Sequence, residues 1–249
     1  MIFDFILIHT LYGNKSSGNK YNFRSTLTKL PIYKKVKADY FEFSNNNWKV
    51  FGLGRDKYSN QILIDDFVGI FIVGECFSRI DSEYFLGNSR KLIASEIKDL
   101  YLEKGEDLVY EIKGNFQIVI CDDRIRRLTI INNRGGVSPF YYYSDGNLFI
   151  CSTAIYLFPD EIKNKLTFSN ENLLEYALFN YPLGENTLFE EVFNLLPGEI
   201  INLKNGKVNK KKYYDVSDLI TVHRISKTEA IEKGNYLFKK IVNTLAADK

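Results

Sequence analysis

Of the side chains that most readily act as nucleophile or base near neutral pH, this 249-residue sequence has five. Three are thiols (Cys76, Cys121, Cys151) and two are imidazoles (His9, His223). A thiol attacks a carbonyl only as the thiolate, which needs a neighbouring cation or a helix N-terminus. Cys121 and Cys151 instead close the apolar runs FQIVIC and LFIC, where cysteine behaves as a small hydrophobe. No Cys-x-x-Cys pair is present and the thiols are widely spaced, which argues against both a structural zinc and a disulfide framework. Asp122 and Asp123 are adjacent at a strand end, so they point to opposite faces and do not make an acid/base pair. Gly13-x-x-x-x-Gly18-Asn19-Lys20 has the glycine spacing of a phosphate loop but lacks its Gly-Lys-Ser/Thr ending, and reads as a polar loop.

The elements that would hold these groups are mostly strands. Ile2–His9 is apolar on both sides, the pattern of a central strand covered on both faces. Tyr40–Phe43 and Trp48–Leu53 form a hairpin across Ser44–Asn47, and Ile62–Ile64 and Val68–Val73 are further strands. Lys91–Leu100 has helical spacing that continues to Glu103, with Gly105 as its C-cap, and Asp107–Ile112 reads as a second short helix. Phe116–Cys121, Leu128–Asn132, Phe140–Tyr143 and Leu148–Cys151 follow as strands. Asp145-Gly146 marks a hairpin turn whose two central residues both need positive φ. Ala154–Phe158 is a helical turn stopped by Pro159, and Asn172–Phe179 is a helix capped by Ser169 or Asn170. Glu199–Leu203 and Val208–Tyr214 meet across Asn205–Gly206, a type I′ signal. From Ser226 an amphipathic helix runs to about Ala246.

Composition sets the frame. Aromatic residues make up 15% of the chain and hydrophobic residues 45%, ample for a sheet-based core. The net charge of +2 points to neither nucleic acid nor an anionic membrane surface, and Lys210–Lys212 reads as a solvated strand end. No apolar stretch is long enough to span a bilayer, and Met1–Ile8 lacks the basic and cleavage regions of a signal peptide. A cytoplasmic protein is expected.

The stretch Gly114–Ser152 resembles the glutaminase domain of the asparagine synthetases. There a strand ending in Asp precedes an Arg-Asp-x-x-Gly-x-x-Pro-Leu-Tyr-Tyr-like segment and a Ser near a strand end. The matching residues are Asp122, Asn133–Arg134, Gly136, Pro139–Phe140–Tyr141–Tyr142 and Ser152. Downstream, Leu174–Tyr176, Thr187–Val192, Leu195–Pro197–Gly198, Asn205–Gly206 and Tyr213–Tyr214 extend the resemblance over roughly residues 60 to 215. It implies an α+β fold, the four-layer αββα sandwich of antiparallel sheets of the N-terminal-nucleophile hydrolases. It also implies a division into a glutaminase-like domain over 1–215, followed by 216–249, a linker and the first helix of a synthetase-type domain. The pyrophosphate loop of that domain, Ser-Gly-Gly-x-Asp-Ser, does not occur in the sequence.

Active members of this family attack the glutamine amide with a cysteine in second position and hold the oxyanion with an Asn side chain and a glycine N–H. The resemblance places Ile2 at the nucleophile position, and an alkyl side chain cannot attack a carbonyl. The oxyanion segment Asn-Gly-Glu-Ile-Tyr-Asn corresponds to Val73-Gly74-Glu75-Cys76-Phe77-Ser78, so Gly74 and Glu75 persist while Val73 replaces the donor. Of the two substrate clamps, only Asp39 stands near the first. At the second, Ser89-Arg90-Lys91 replaces Ser-Asp-Thr, and Arg90 would repel an ammonium group. Arg134 matches an arginine of a structural turn. No catalytic residue and no metal ligand is therefore expected, with Gly74, Glu75 and Arg90 as remnants of the glutamine and oxyanion site.

The function implied is a catalytically degenerate glutaminase-like domain acting as structural partner of an ATP-dependent amide-forming synthetase domain, in cis or in trans. ATP and magnesium would enter only through that domain. The alternative is a stand-alone binding module whose vacated cleft, carrying Arg90, takes an acidic peptide or metabolite.

Overall fold

The computed structural model describes residues 2–10, 39–45, 47–54, 58–78, 90–219 and 225–246. The Gly13–Lys20 loop, Val36, Ser89 and His223 lie outside the described residues. Twelve strands among those described form two six-stranded sheets in which every pairing is antiparallel. They are β1 (Ile2–Thr10), β2 (Asp39–Ser44), β3 (Trp48–Gly54), β4 (Ile62–Ile64), β5 (Val68–Ser78), β6 (Ile112–Asp122), β7 (Arg127–Asn132), β8 (Tyr141–Ser144), β9 (Leu148–Ser152), β10 (Val192–Asn194), β11 (Glu199–Lys204) and β12 (Lys207–Lys212). One sheet runs β10-β8-β9-β1-β3-β2 and the other β12-β11-β7-β6-β5-β4.

The sheets pack face to face, and strand periodicity assigns each residue to a layer. In the first sheet Phe5, Leu7, Val50, Phe149 and Cys151 point inward, and in the second Phe71, Val73, Val119, Cys121 and Ile130 meet them. Phe5 spans the gap, with ring centroids 5.6 Å from Phe71 and 6.2 Å from Phe140. The alternate residues point outward. Ile70, Ile72, Ile118 and Ile120 pack beneath α1 (Ala94–Lys104) through Ile97 and Tyr101, and beneath the 3-10 turn Gly105–Tyr110. Ile6, Ile8, Phe51 and Ile150 are covered by Leu157, Phe158 and Ile162, the last on the four-residue α2 (Asp160–Lys163). Both faces of the central strands are thus buried, which is why they read as continuous apolar runs, while the edge strand β12 is exposed along its length. The expected αββα layering is the one observed, with a thin outer layer over the first sheet.

Several expectations need correcting. The helix starts at Ala94 and not at Lys91, because 91–93 first lie along β5: Phe77 bridges Lys91, and Leu92 N donates to Cys76 O at 2.8 Å. Residues 107–110 belong to the 3-10 turn, and Ile112 already opens β6. Strand β10 is not foreseen. Asp145 does not adopt positive φ; Gly146 alone does, at 85°. The Asp145 carboxylate instead accepts from Asn147 N (2.9 Å) and Leu148 N (2.8 Å), which closes the turn through its side chain. At the other hairpin Asn205 and Gly206 both have positive φ (51° and 75°), as type I′ requires.

Two further helices complete the described chain. α3 (Asn170–Phe179) is capped by Ser169, whose Oγ accepts from Asn172 N. α4 (Lys227–Ala246) is capped by Ser226, whose Oγ accepts from Glu229 N at 3.1 Å.

Candidate functional site

One end of the sandwich is tied shut and the other carries the residues of interest. At the closed end Asp123, on the β6–β7 hairpin, accepts from Asn45 Nδ2 (2.6 Å) and Asn47 Nδ2 (3.3 Å) on the β2–β3 hairpin, joining the two sheets. Its neighbour Asp122 turns the other way and forms a two-pronged pair with Arg124 (Nε 2.9 Å, Nη2 2.6 Å). Burial opposes its charge, but the Arg124 guanidinium and the Tyr101 hydroxyl outweigh that and hold the carboxyl below its ordinary range. The two aspartates serve separate structural contacts.

At the opposite end β1 begins, its register slipping between Ile2 and Asp4 against β3. Its sequence IFDFILIHT offers no hydroxyl or thiol before Thr10 at the far end. On the facing sheet Val73, Gln117 and Asn132 are register neighbours on the inner face of β5, β6 and β7. Val73 is buried in the core between the sheets with Phe5 and Phe71. Beside it Gln117 Nε2 donates to Asn132 Oδ1 (3.3 Å) and Ser138 O (3.0 Å), and Asn132 Nδ2 donates to Leu195 O (2.8 Å). Asn133 continues the set: its Oδ1 accepts from Gly135 N and Gly136 N, and its Nδ2 donates to Phe116 O at 3.0 Å. Arg134 lies with its guanidinium carbon 5.3 Å from the centroid of Tyr214, a stacking role. Ser152 Oγ donates to Phe5 O (2.8 Å), so this buried hydroxyl pins β9 to β1.

Gly74, Glu75 and Arg90 are not brought together as a binding group. Gly74 has φ +89° and its carbonyl accepts from Gln61 Nε2. Glu75 pairs with Lys91 Nζ at 2.8 Å. Arg90 reaches back to Glu96 on α1, in the outer layer, with its side chain 71% exposed. The backbone between them explains the spread, since Arg90 O accepts from Ser78 N (2.9 Å), four residues past Gly74 along β5. Of the polar row Gln117–Asn132–Asn133 the resemblance marks only Asn133; the signal for the other two is a glutamine inside FQIVIC and a double asparagine closing LTIINN.

The cysteines complete the chemical inventory. All three are buried and unpaired with one another. Burial, with the Glu75 charge adding to it, pushes the Cys76 thiol well above its ordinary value, and Cys76 faces the outer layer under α1. Burial likewise raises Cys121 and Cys151, which sit between the sheets. None is primed as a thiolate. Among the described residues no cluster of three His, Cys, Asp or Glu side chains is placed to hold a metal ion. No helix among them is long and apolar enough to cross a membrane.

Residues 94–214 match the glutamine amidotransferase domain family. A protein of Methanocaldococcus jannaschii named as an asparagine synthetase (glutamine-hydrolyzing) is 28% identical over 145 residues, covering 57% of this chain and 28% of that protein. The chain therefore aligns with under a third of its relative's length. Among solved structures, glutamine phosphoribosylpyrophosphate amidotransferase from B. subtilis, complexed with ADP and GMP, aligns at a TM-score of 0.46 and 8% identity over 89% of this chain and 50% of that one. A structure described as the allosteric regulatory enzyme of purine biosynthesis aligns at 0.45 and 7% identity over the same shares.

Proposed function

We propose that this chain, which carries a glutamine amidotransferase domain related to the asparagine synthetases, no longer hydrolyses glutamine and serves as the structural partner of an ATP-dependent amide-forming synthetase domain. The observation that carries the reading is Val73. It stands in line with Gln117 and Asn132, the resemblance aligns it with the family's oxyanion donor, and its isopropyl group is buried in the same inner cluster as Phe5 and Phe71. A valine side chain has no N–H or O–H to offer an anionic intermediate, and loss of one such donor costs on the order of 10² to 10³ in rate.

The other requirements fail alongside it. The thiols are buried with raised pKa, and a nucleophile of this class must be close to a thiolate. Arg90 spends its charge on Glu96, which also weakens the alternative of an acidic ligand held in a vacated cleft. ATP and magnesium belong to the synthetase partner in this reading, and the chain's own role is to present a rigid sandwich to it.

The test is glutamate release from glutamine by the purified protein, with intact mass recorded on the same sample. No release above background is expected. Turnover at an ordinary enzymic rate would overturn the reading, and the mass would identify the N-terminus responsible.

A further inference from the structure

We infer that the solvent-facing side of α3 is the surface on which the synthetase-type polypeptide docks, an inference that rests on the function proposed above. In a globular domain a surface helix turns its apolar stripe to the core and its polar face to water. α3 does the reverse. Asn172 Nδ2 donates to the carbonyl of the buried Thr187 at 2.7 Å, and one turn on Glu175 accepts from Leu183 N at 2.8 Å in the loop that follows the helix, so the polar side is bonded to the 183–187 segment. Leu174 and Leu178, also one turn apart, are 61% and 67% exposed, with Leu173 and Tyr181 beside them, and no residue of the helix is buried.

A helix held by its polar side with leucines outward is a ridge, and the partner that fits a ridge presents an apolar groove. α4 does not supply the cover, because its own Ile231, Phe238 and Val242 are exposed as well. The family match over 94–214 encloses α3, while more than two thirds of the asparagine synthetase relative lies outside the aligned stretch. A polypeptide of that kind is thus of ample size to provide the groove. Glu171 in the first turn of α3 is exposed, as is Glu190, whose N–H donates to Thr167 O just before the helix, and both favour a groove with a basic rim.

The chain's own chemistry supplies a test that works for a partner in cis or in trans. Its three cysteines are buried, so a cysteine introduced at the surface is the reactive thiol. Leu174→Cys and Leu178→Cys are compared with Ile125→Cys, at the exposed tip of the β6–β7 hairpin, for maleimide labelling. The protein used is the full-length product of the reading frame, or this chain co-expressed with an adjacently encoded polypeptide carrying Ser-Gly-Gly-x-Asp-Ser. Both α3 positions should label at least about tenfold more slowly than Ile125→Cys, as expected for the dry core of an interface. Equal rates would overturn the docking surface and leave the pseudo-glutaminase reading standing. The absence of any such synthetase sequence, in the frame or beside it, would overturn both. Slow labelling of this chain alone that accelerates on dilution would assign the ridge to a second copy and overturn the inference.

Discussion

Gly74 and Gly114 lie on adjacent strands, β5 and β6, with φ of +89° and +128°, and a Cβ on either would stand 2.2 Å from a carbonyl oxygen of the opposite strand. Only glycine combines that backbone with that proximity, so the glycines at 74 and 114 are required by the β5–β6 pairing itself. Gly74→Ala is expected to destabilise the fold by at least about 2 kcal/mol, measured from urea unfolding midpoints. A second prediction concerns Asp65, whose carboxylate pairs with Lys98 and accepts from Phe67 N (2.9 Å) and Val68 N (2.7 Å). The Lys98 ammonium and these amides pull its pKa from 3.8 down to about 2. Because the folded value is the lower one, the stabilisation is present above the ordinary carboxylate pKa and is lost as pH falls through the folded value. The stability gap between the wild type and Asp65→Asn should therefore shrink steadily between pH 5 and pH 2. A gap constant over that range would remove the assignment. These residue-level features were only partly legible beforehand: the glycine could be read from the resemblance, whereas the pairing of Asp65 with Lys98 depends on how α1 lies across β4 and β5.

At the scale of elements, legibility followed the range of the forces involved. The Asn205–Gly206 turn was readable because its backbone requirement is local. The Asp145 turn departs from the expected type because a side-chain hydrogen bond replaces the backbone solution, and both chemistries use the same residue types. Periodicity starts α1 three residues early because residues 91–93 are captured by β5, a tertiary effect that it cannot register. Strand β10 is three residues long and exists by pairing with β8. The turn after β7 offers the clearest test at this scale. Asn133 alone satisfies two backbone donors, Gly135 N at 2.8 Å and Gly136 N at 3.0 Å, while being almost wholly buried. Asn133→Ala removes that acceptor, leaving the half-buried Gly136 amide and the Phe116 carbonyl without this partner, and should cost about 1–3 kcal/mol in denaturant unfolding. A loss below about 0.5 kcal/mol would mean that the turn is held by its glycines and by Pro197, against which Gly136 packs, rather than by the asparagine.

The whole molecule behaves, on this structure, as one sandwich with a shared inner core, and that layering was readable from runs apolar on both faces together with the family resemblance. What the sequence does not disclose is which strands meet: Val73 and the Gln117–Asn132 pair occupy inward positions whose neighbours come from strands distant in sequence. The cysteines make the unity of the core measurable. Cys121 and Cys151 lie on facing sheets within the same inner cluster, while Cys76 lies on the outer face of β5 beneath α1. If the layers unfold together, all three thiols should stay unreactive to a small disulfide reagent in native buffer. They should then become reactive across one urea transition that coincides with loss of the circular dichroism signal. If Cys76 reacts at lower urea than the other two, the α1 layer opens on its own and the outer helix is a separate cooperative unit. Reaction of Cys121 or Cys151 before the main transition would be more consequential. It would show that the two sheets separate while the rest of the fold persists, and would expose a thiol that the closed sandwich buries.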